Sequence, residues 1–172
     1  MYRKLLIGFT LSVLLPACSG LTPHIAVVNG TGGGTFSPSE GMSRAMVCTV
    51  LAANLAGQDT SGGATWYEKS VEWAVANGIS DGTTPDATVT REQLAVMLYR
   101  YAGQPIVTDP VPRRFNDRES VADWASAAMT WCIETGLLTG RDSGEGAELA
   151  PKSTATRAEV ATIMQRYVAL LK

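Results

Sequence analysis

One pattern recurs three times along this chain, and it restricts the fold more than any other feature. Asn29-Gly30-Thr31 leads through Phe36-Ser37-Pro38 to Ser43-Arg44-Ala45-Met46 and ends at Leu55-Ala56-Gly57. Asn77-Gly78-Ile79-Ser80-Asp81-Gly82 leads to Thr90-Arg91-Glu92-Gln93 and ends at Tyr101-Ala102-Gly103. Thr135-Gly136-Leu137-Leu138-Thr139-Gly140 leads to Thr156-Arg157-Ala158-Glu159 and the last residues of the sequence. The arginines are unequally spaced, so the loops differ in length while the ends of the pattern return. Recurrence of this kind marks an array of small units that share one core.

Each unit reads as a helix, a glycine-rich loop and a second helix. In the second unit Tyr67, Val71, Ala74 and Val75 form an apolar stripe at helical spacing, and Asn77-Gly78 is a stop signal. Leu94, Met97, Leu98 and Tyr101 then share one face of the next helix. In the third unit Val121, Trp124, Ala125, Ala128 and Cys132 build the leading helix, and Val160, Ile163, Met164 and Tyr167 follow the second start. Thr90 with Gln93, and Thr156 with Glu159, have capping-box spacing, in which each side chain satisfies an orphan backbone N–H. Ser43 can cap the first unit, but Met46 cannot complete a box there. Helices this short cannot bury their stripes alone, so the units must pack on one another. Residues 58–64 and the proline-bearing residues 104–114 read as linkers.

Composition removes several classes of function. Of the 172 residues, 45 % are apolar and 17 % charged, which suits a folded domain and not a disordered chain. A net charge of −2 gives no general grip on nucleic acid, so any anionic ligand must be caught by a few placed cations. The lone histidine, His24, and acids scattered over capping positions supply neither a Ser–His pair nor paired carboxylates. No enzyme, cofactor or metal site is therefore expected. Cys18, Cys48 and Cys132 stand far apart without a CxxC pair. Cys48 and Cys132 lie in apolar helical stretches and read as small buried hydrophobes, with a bridge between them as the alternative.

Residues 1–20 read as an export signal. Tyr2-Arg3-Lys4 gives a basic start, and the mostly apolar stretch from Leu5 to Leu15 is short for a membrane span but suits a signal core. Leu15-Pro16-Ala17-Cys18 resembles a bacterial lipobox, although Pro16 departs from that pattern, and makes Cys18 the candidate for a lipid anchor. The alternative is that residues 5–15 form an ordinary buried helix.

The repeated features resemble S-layer homology (SLH) repeats. These run from an aspartate and a tryptophan-bearing helix, through a Gly-Ile/Leu-x-x-Gly turn, to a Thr-Arg-Ala-Glu helix start. Phe115, Asp117, Trp124, Gly136 to Gly140 and Thr156-Arg157-Ala158-Glu159 carry the resemblance in the third unit. Trp66-Tyr67, Gly78-Ile79-Ser80-Asp81-Gly82 and Thr90-Arg91-Glu92-Gln93 carry it in the second. The resemblance implies a mainly α fold, a pseudo-threefold bundle of three helix–loop–helix repeats. An incomplete first repeat would occupy residues 24–57, a second 64–103 and a third 115–172, with the signal-like segment standing where the first leading helix belongs. It also implies an exported, non-catalytic module at the bacterial cell wall or cell surface. Grooves between repeats would bind an anionic cell-wall polysaccharide, often a secondary polymer with pyruvylated sugars. An adhesion module for a surface-protein partner is the alternative.

Arg44, Arg91 and Arg157 each follow a capping Ser or Thr, where the positive end of the helix dipole costs a cation about 0.3–1 kcal/mol. A local cost repeated three times implies an offsetting gain. Exposed first-turn guanidiniums beside free helix N–H groups would suit a carboxylate such as a pyruvate ketal, and would add little to stability. The alternative is bonding to a loop carbonyl or to an acid such as Glu92 or Glu159. Trp66 and Trp124 stand where SLH repeats place a groove-lining ring, with core packing as the alternative. Trp73 and Trp131 read as core. Asp117 is a candidate for orienting a sugar hydroxyl or for capping the next turn. Thr90, Thr156, Gly82 and Gly140 complete the candidate ligand-binding set, the glycines by permitting tight loops and close backbone approach. Lys152 is a further loop cation near the third groove.

Overall fold

Thr90 and Thr156 start helices in the way their spacing predicts. In the computed structural model, which describes residues 35–144 and 146–171, the Gln93 N–H donates to the Thr90 hydroxyl at 3.3 Å. The Thr90 N–H returns a bond to the Gln93 amide oxygen at 3.0 Å. Thr156 and Glu159 repeat the pair at 3.3 and 3.0 Å. Ser43 accepts from the Met46 N–H at 3.2 Å, and Met46 makes no reciprocal bond because a thioether is a poor acceptor.

These caps open α1 (Arg44–Thr49), α3 (Arg91–Tyr101) and α5 (Arg157–Leu170). α1 continues as a π-helical stretch over Val50–Leu55. The leading helices of the second and third units are α2 (Glu68–Ala76) and α4 (Ser126–Glu134). A hairpin of β1 (Arg141–Asp142) and β2 (Ala147–Glu148) pairs Arg141 with Glu148 in antiparallel register. The fold is mainly helical, as expected.

Two expectations need correction. Val121 and Trp124 lie outside α4, because the Ala122 backbone is extended and its N–H donates to the Glu92 carboxylate at 3.2 Å. Short 3₁₀ turns at Arg118–Ser120 and Asp123–Ala125 fill the approach instead. The stripe on α2 is also narrower than its spacing suggests: Ala74 is fully buried, whereas Val75 is 45 % exposed.

The units are joined at their helix starts by a closed ring of backbone hydrogen bonds. The Met42 N–H donates to Ala155 O at 3.1 Å, Ala155 N–H to Val89 O at 2.9 Å, and Val89 N–H to Met42 O at 2.8 Å. Isolated antiparallel bridges flank these bonds, Gly41 with Thr156, Ser43 with Thr88 and Thr90 with Thr154. Each helix start is then capped by the X-Pro turn of another unit. Arg44 and Ala45 donate to Ala87 O and Pro85 O, Arg91 and Glu92 to Ser153 O and Pro151 O, and Arg157 and Ala158 to Glu40 O and Pro38 O. The residues before those prolines, Ser37, Thr84 and Ala150, all have positive φ, 49°, 43° and 48°.

Around the ring lies one core. Leu51, Leu94, Leu98, Met129, Val160 and Met164 are among its fully buried side chains, each worth about 1.5–3 kcal/mol of transfer free energy. α2 packs on α1 and its π-helical continuation, and α4 packs on α3. Trp73, Tyr101, Tyr167, Trp131 and Tyr99 form a run of neighbouring rings 5.8–6.4 Å apart, which ties the second and third units. Cys48 and Cys132 are free, buried thiols, not a bridge, and burial raises both above the ordinary cysteine range. The signal segment, Cys18 and the opening of the first unit lie outside the described residues.

The ring makes a sharp prediction. Val89→Pro removes one buried donor and leaves Met42 O without a partner, so stability should fall by at least about 2 kcal/mol in denaturant unfolding. A single cooperative transition that shifts as a whole is the expected result. Loss of one unit while the other two unfold unchanged would contradict a shared ring.

Candidate functional site

The helix starts do not offer the free N–H groups that a bound carboxylate would need. The first two N–H groups of α1, α3 and α5 already donate to loop carbonyls, and the third donates to the capping hydroxyl. The guanidiniums are held too. Arg91, only 3 % exposed, donates through Nε to Leu149 O at 2.7 Å, through Nη1 to Glu159 Oε1 at 2.9 Å and through Nη2 to Thr139 O at 3.4 Å. Arg157, 4 % exposed, donates through Nε to Phe36 O at 2.8 Å and lies 5.2 Å from the Phe36 ring centre. Arg44 pairs with Asp81 and reaches Ser80 Oγ at 3.4 Å. The expectation of exposed arginines that add little to stability is therefore overturned for Arg91 and Arg157. Carbonyls and acids of other units offset the dipole cost.

One junction, between the second and third units, opens into a groove of about 230 Å³. Arg91, Arg141 and Arg166 line it, with Glu159 among them and Gly140 on its wall. Glu159 is doubly used. One oxygen accepts from Thr156 N–H in the capping box, and the other accepts from Arg91 and from Arg141 Nε at 2.9 Å. Arg166 donates to Leu137 O at 3.2 Å, which holds its guanidinium along the groove. Three guanidiniums around one carboxylate leave a net positive surface. The Arg141 side chain is 39 % exposed and the most open of the pair it forms with Glu159.

Apart from Arg91 and Gly140, the sequence candidates do not line this groove. Thr90 and Thr156 spend their hydroxyls on capping and sit in the central ring. Asp117 neither caps a turn nor faces outward: its carboxylate accepts from Leu149 N–H at 2.8 Å and Ala150 N–H at 2.6 Å, fastening the third loop. Gly82 has φ +73°, and a Cβ there would come within 2.8 Å of Val75. Gly140 instead gives room for the Phe115 ring, which would lie 2.7 Å from an added Cβ. Trp66 and Trp124 are exposed, 57 % and 59 %, and so are not core. Lys152 Nζ lies 5.9 Å from the Trp124 ring centre and pairs with buried Glu92 at 2.6 Å. Trp131 is buried and Trp73 packs at the core edge, as expected.

Sequence reading missed Arg141 and Arg166. A signal for Arg166 existed: Arg100 and Arg166 hold the same place after their capping threonines, and Arg100 donates to Ile79 O as Arg166 does to Leu137 O. Arg141 stands alone among the units, directly after the turn that ends at Gly140.

Electrostatics tie this site to stability. Burial works against ionising Glu159, but the Thr156 N–H, Arg141 and Arg91 outweigh it and hold the carboxyl below the ordinary 4.5. Burial lowers Arg91, partly offset by Glu159. Because the folded value of Glu159 is depressed, its contribution is complete above the ordinary value and disappears as pH falls through the folded one. Glu159→Gln should therefore lower the melting temperature at neutral pH and flatten the loss of stability between about pH 5 and pH 3. Arg91→Ala should destabilise by about 2–4 kcal/mol, since it leaves the Leu149 carbonyl unpaired and removes one of the two cations that hold Glu159. Thermal unfolding across that pH range checks both, and an unchanged melting temperature for Arg91→Ala would refute the tie.

Comparison with known proteins agrees with the repeats. A sequence model of the S-layer homology domain matches residues 26–45, 59–95 and 114–161. The chain is 28 % identical over 152 residues to an endoglucanase of Bacillus sp. (strain KSM-635), covering 80 % of this chain and 16 % of that protein. It is 23 % identical over 158 residues to the surface-layer 125 kDa protein of Lysinibacillus sphaericus, covering 83 % and 13 %. It is 24 % identical over 172 aligned residues to a cellulosome-anchoring protein of Acetivibrio thermocellus, covering 88 % and 37 %. The chain thus spans only a small part of the curated relatives it matches, and the likeness is to a module within longer proteins. With the three matched stretches covering more than half of its residues, the chain belongs to the S-layer homology domain family.

Proposed function

We propose that this chain is a non-catalytic anchoring module that holds to the bacterial cell wall by binding an anionic secondary polysaccharide, pyruvylated on its sugars, between its second and third units. The observation that carries this reading is the convergence of Arg91, Arg141 and Arg166 on one groove that contains a single carboxylate. Glu159 already neutralises part of the buried charge and orients Arg141, so the charge left facing the groove belongs mainly to Arg141 and Arg166. A planar guanidinium matches a ketal carboxylate with two parallel bonds, which a lysine could not supply. The exposed indoles of Trp124 and Trp66 offer flat faces for sugar rings. Arg44 and Arg157 shape the other two junctions, and Asp117, Thr90, Thr156, Gly82 and Gly140 fix the loops on which contacts depend. Anchoring is also what the name of the cellulosome-anchoring relative states of that protein.

Arg141→Ala and Arg166→Ala should each weaken binding to purified wall sacculi about ten- to a hundred-fold, the loss of one charge-assisted bond worth about 1.5–3 kcal/mol. Arg141→Lys should recover only part of it. Binding should survive proteolysis of the sacculi and disappear once the secondary polymer is extracted. Loss of binding on proteolysis, with polymer extraction harmless, would assign the site to a surface protein and overturn the reading.

A further inference from the structure

We infer that the cavity framed by Arg114, Phe115 and the β1–β2 hairpin is a second subsite, which takes the acidic sugar next to the one in the groove; this rests on the groove reading above. The cavity measures about 520 Å³, against about 230 Å³ for the groove. It lies within the roughly 300–1,000 Å³ typical of small-molecule sites. Both share the ridge formed by Leu138, Thr139, Gly140 and Arg141, so a polymer that occupies the groove and crosses Arg141 enters the cavity next.

The walls supply three kinds of contact that an acidic sugar needs. Phe115, Ile133, Leu138 and Ala147 give an apolar floor for the C–H face of a ring. Arg114, exposed and with its guanidinium 4.8 Å from the Phe115 ring centre, and Arg141 both line the cavity as partners for a carboxylate. Asp142 adds an acceptor for hydroxyl donors. A carboxylate acceptor among guanidiniums discriminates a hydroxylated acid from a simple anion such as phosphate.

The frame is also stiff, so little ordering is left for binding to oppose. Asn116 N–H donates to Ala147 O at 3.0 Å, Asp117 holds Leu149 and Ala150, and the Phe115 ring is seated on the Gly140 backbone. The carbonyls at the end of α4 do not compete for the ligand's hydroxyls, nor repel its acid as free dipoles would. Cys132 O accepts from Leu138 N–H at 2.9 Å and Ile133 O from Gly136 N–H at 3.1 Å.

The test uses the full chain and size-fractionated fragments of purified wall polysaccharide, titrated by calorimetry. Arg114→Ala should weaken binding of longer fragments about ten-fold while leaving the shortest bound fragment unchanged. Asp142→Ala, which removes the acceptor, should act in the same direction, and Arg166→Ala should weaken fragments of every length. Arg114 is exposed, so its replacement should leave the melting temperature unchanged, and Arg114→Lys should recover part of the affinity. If wild type binds and Arg166→Ala weakens all lengths, but neither Arg114→Ala nor Asp142→Ala depends on length, the second subsite is refuted and the groove stands. If wild type binds no fragment of any length, the groove reading fails and the subsite with it.

Discussion

Everything in this fold depends on three backbone segments, around Met42, Val89 and Ala155, that are buried and cannot hydrogen-bond to themselves. Each N–H and C=O in the ring is paired with a group from another unit, and water does not reach them. An unmade bond at any of these positions would carry the desolvation cost of a buried polar group, about 1–3 kcal/mol. The cost is avoided only when all three units are present at once. The ring also sets the direction of packing, because each helix must start on the X-Pro turn of one particular unit. Positive φ at Ser37, Thr84 and Ala150 costs of order 1–3 kcal/mol each, and persists because each turn then presents two carbonyls to a helix start.

That closure decides what the repeated arginines can do. A helix start that lies against another unit has no exposed first turn, so Arg91 and Arg157 enter the interior with their charges. They are tolerated there because the strands of loop that cap the backbone also present carbonyls to Nε, Leu149 O in one case and Phe36 O in the other. Charge available to a ligand is displaced outward by about one turn, onto side chains that touch the ring only indirectly. Arg141 touches it through Glu159, and Arg166 through the carbonyl that follows Gly136.

What could be read in the sequence divides along the same line. The faces of α3 and α5 and both capping boxes were legible because each depends on neighbours within a turn, as at Thr90 with Gln93 and Thr156 with Glu159. Asp117 was not, since a local rule gives it the next turn to cap, while its partners Leu149 and Ala150 lie on the far side of a loop. The arginines were misjudged for a related reason: a dipole argument treats the helix end as solvated, and here another unit occupies that space. Trp124 fitted a helical stripe, but the bond from Ala122 to Glu92 delays α4 and leaves the indole outside. A clue to the ring was present in Pro38, Pro85 and Pro151, which recur ahead of the helix starts. Nothing local says that their carbonyls serve a different unit.

The three junctions share a backbone plan but not a chemistry, and the third residue of each capped helix accounts for much of the difference. Where that residue is Glu159, it closes its own cap with one oxygen and with the other gathers Arg91 from the second unit and Arg141 from the hairpin. Where it is Met46, the facing Arg157 meets a sulfur at 3.8 Å and leans on the Phe36 ring. Where it is Gln93, Arg44 turns to Asp81 in the loop, and its buried Nε has no hydrogen-bond partner among the described residues. A carboxylate at this position holds two guanidiniums by charge-assisted bonds, which neither a thioether nor an amide can supply, and still leaves one positive charge unbalanced. The charged groove therefore forms at the junction where the capping box and the ion pair use the same side chain. One capping glutamate thereby ties helix start, unit contact and the orientation of the outer cations together.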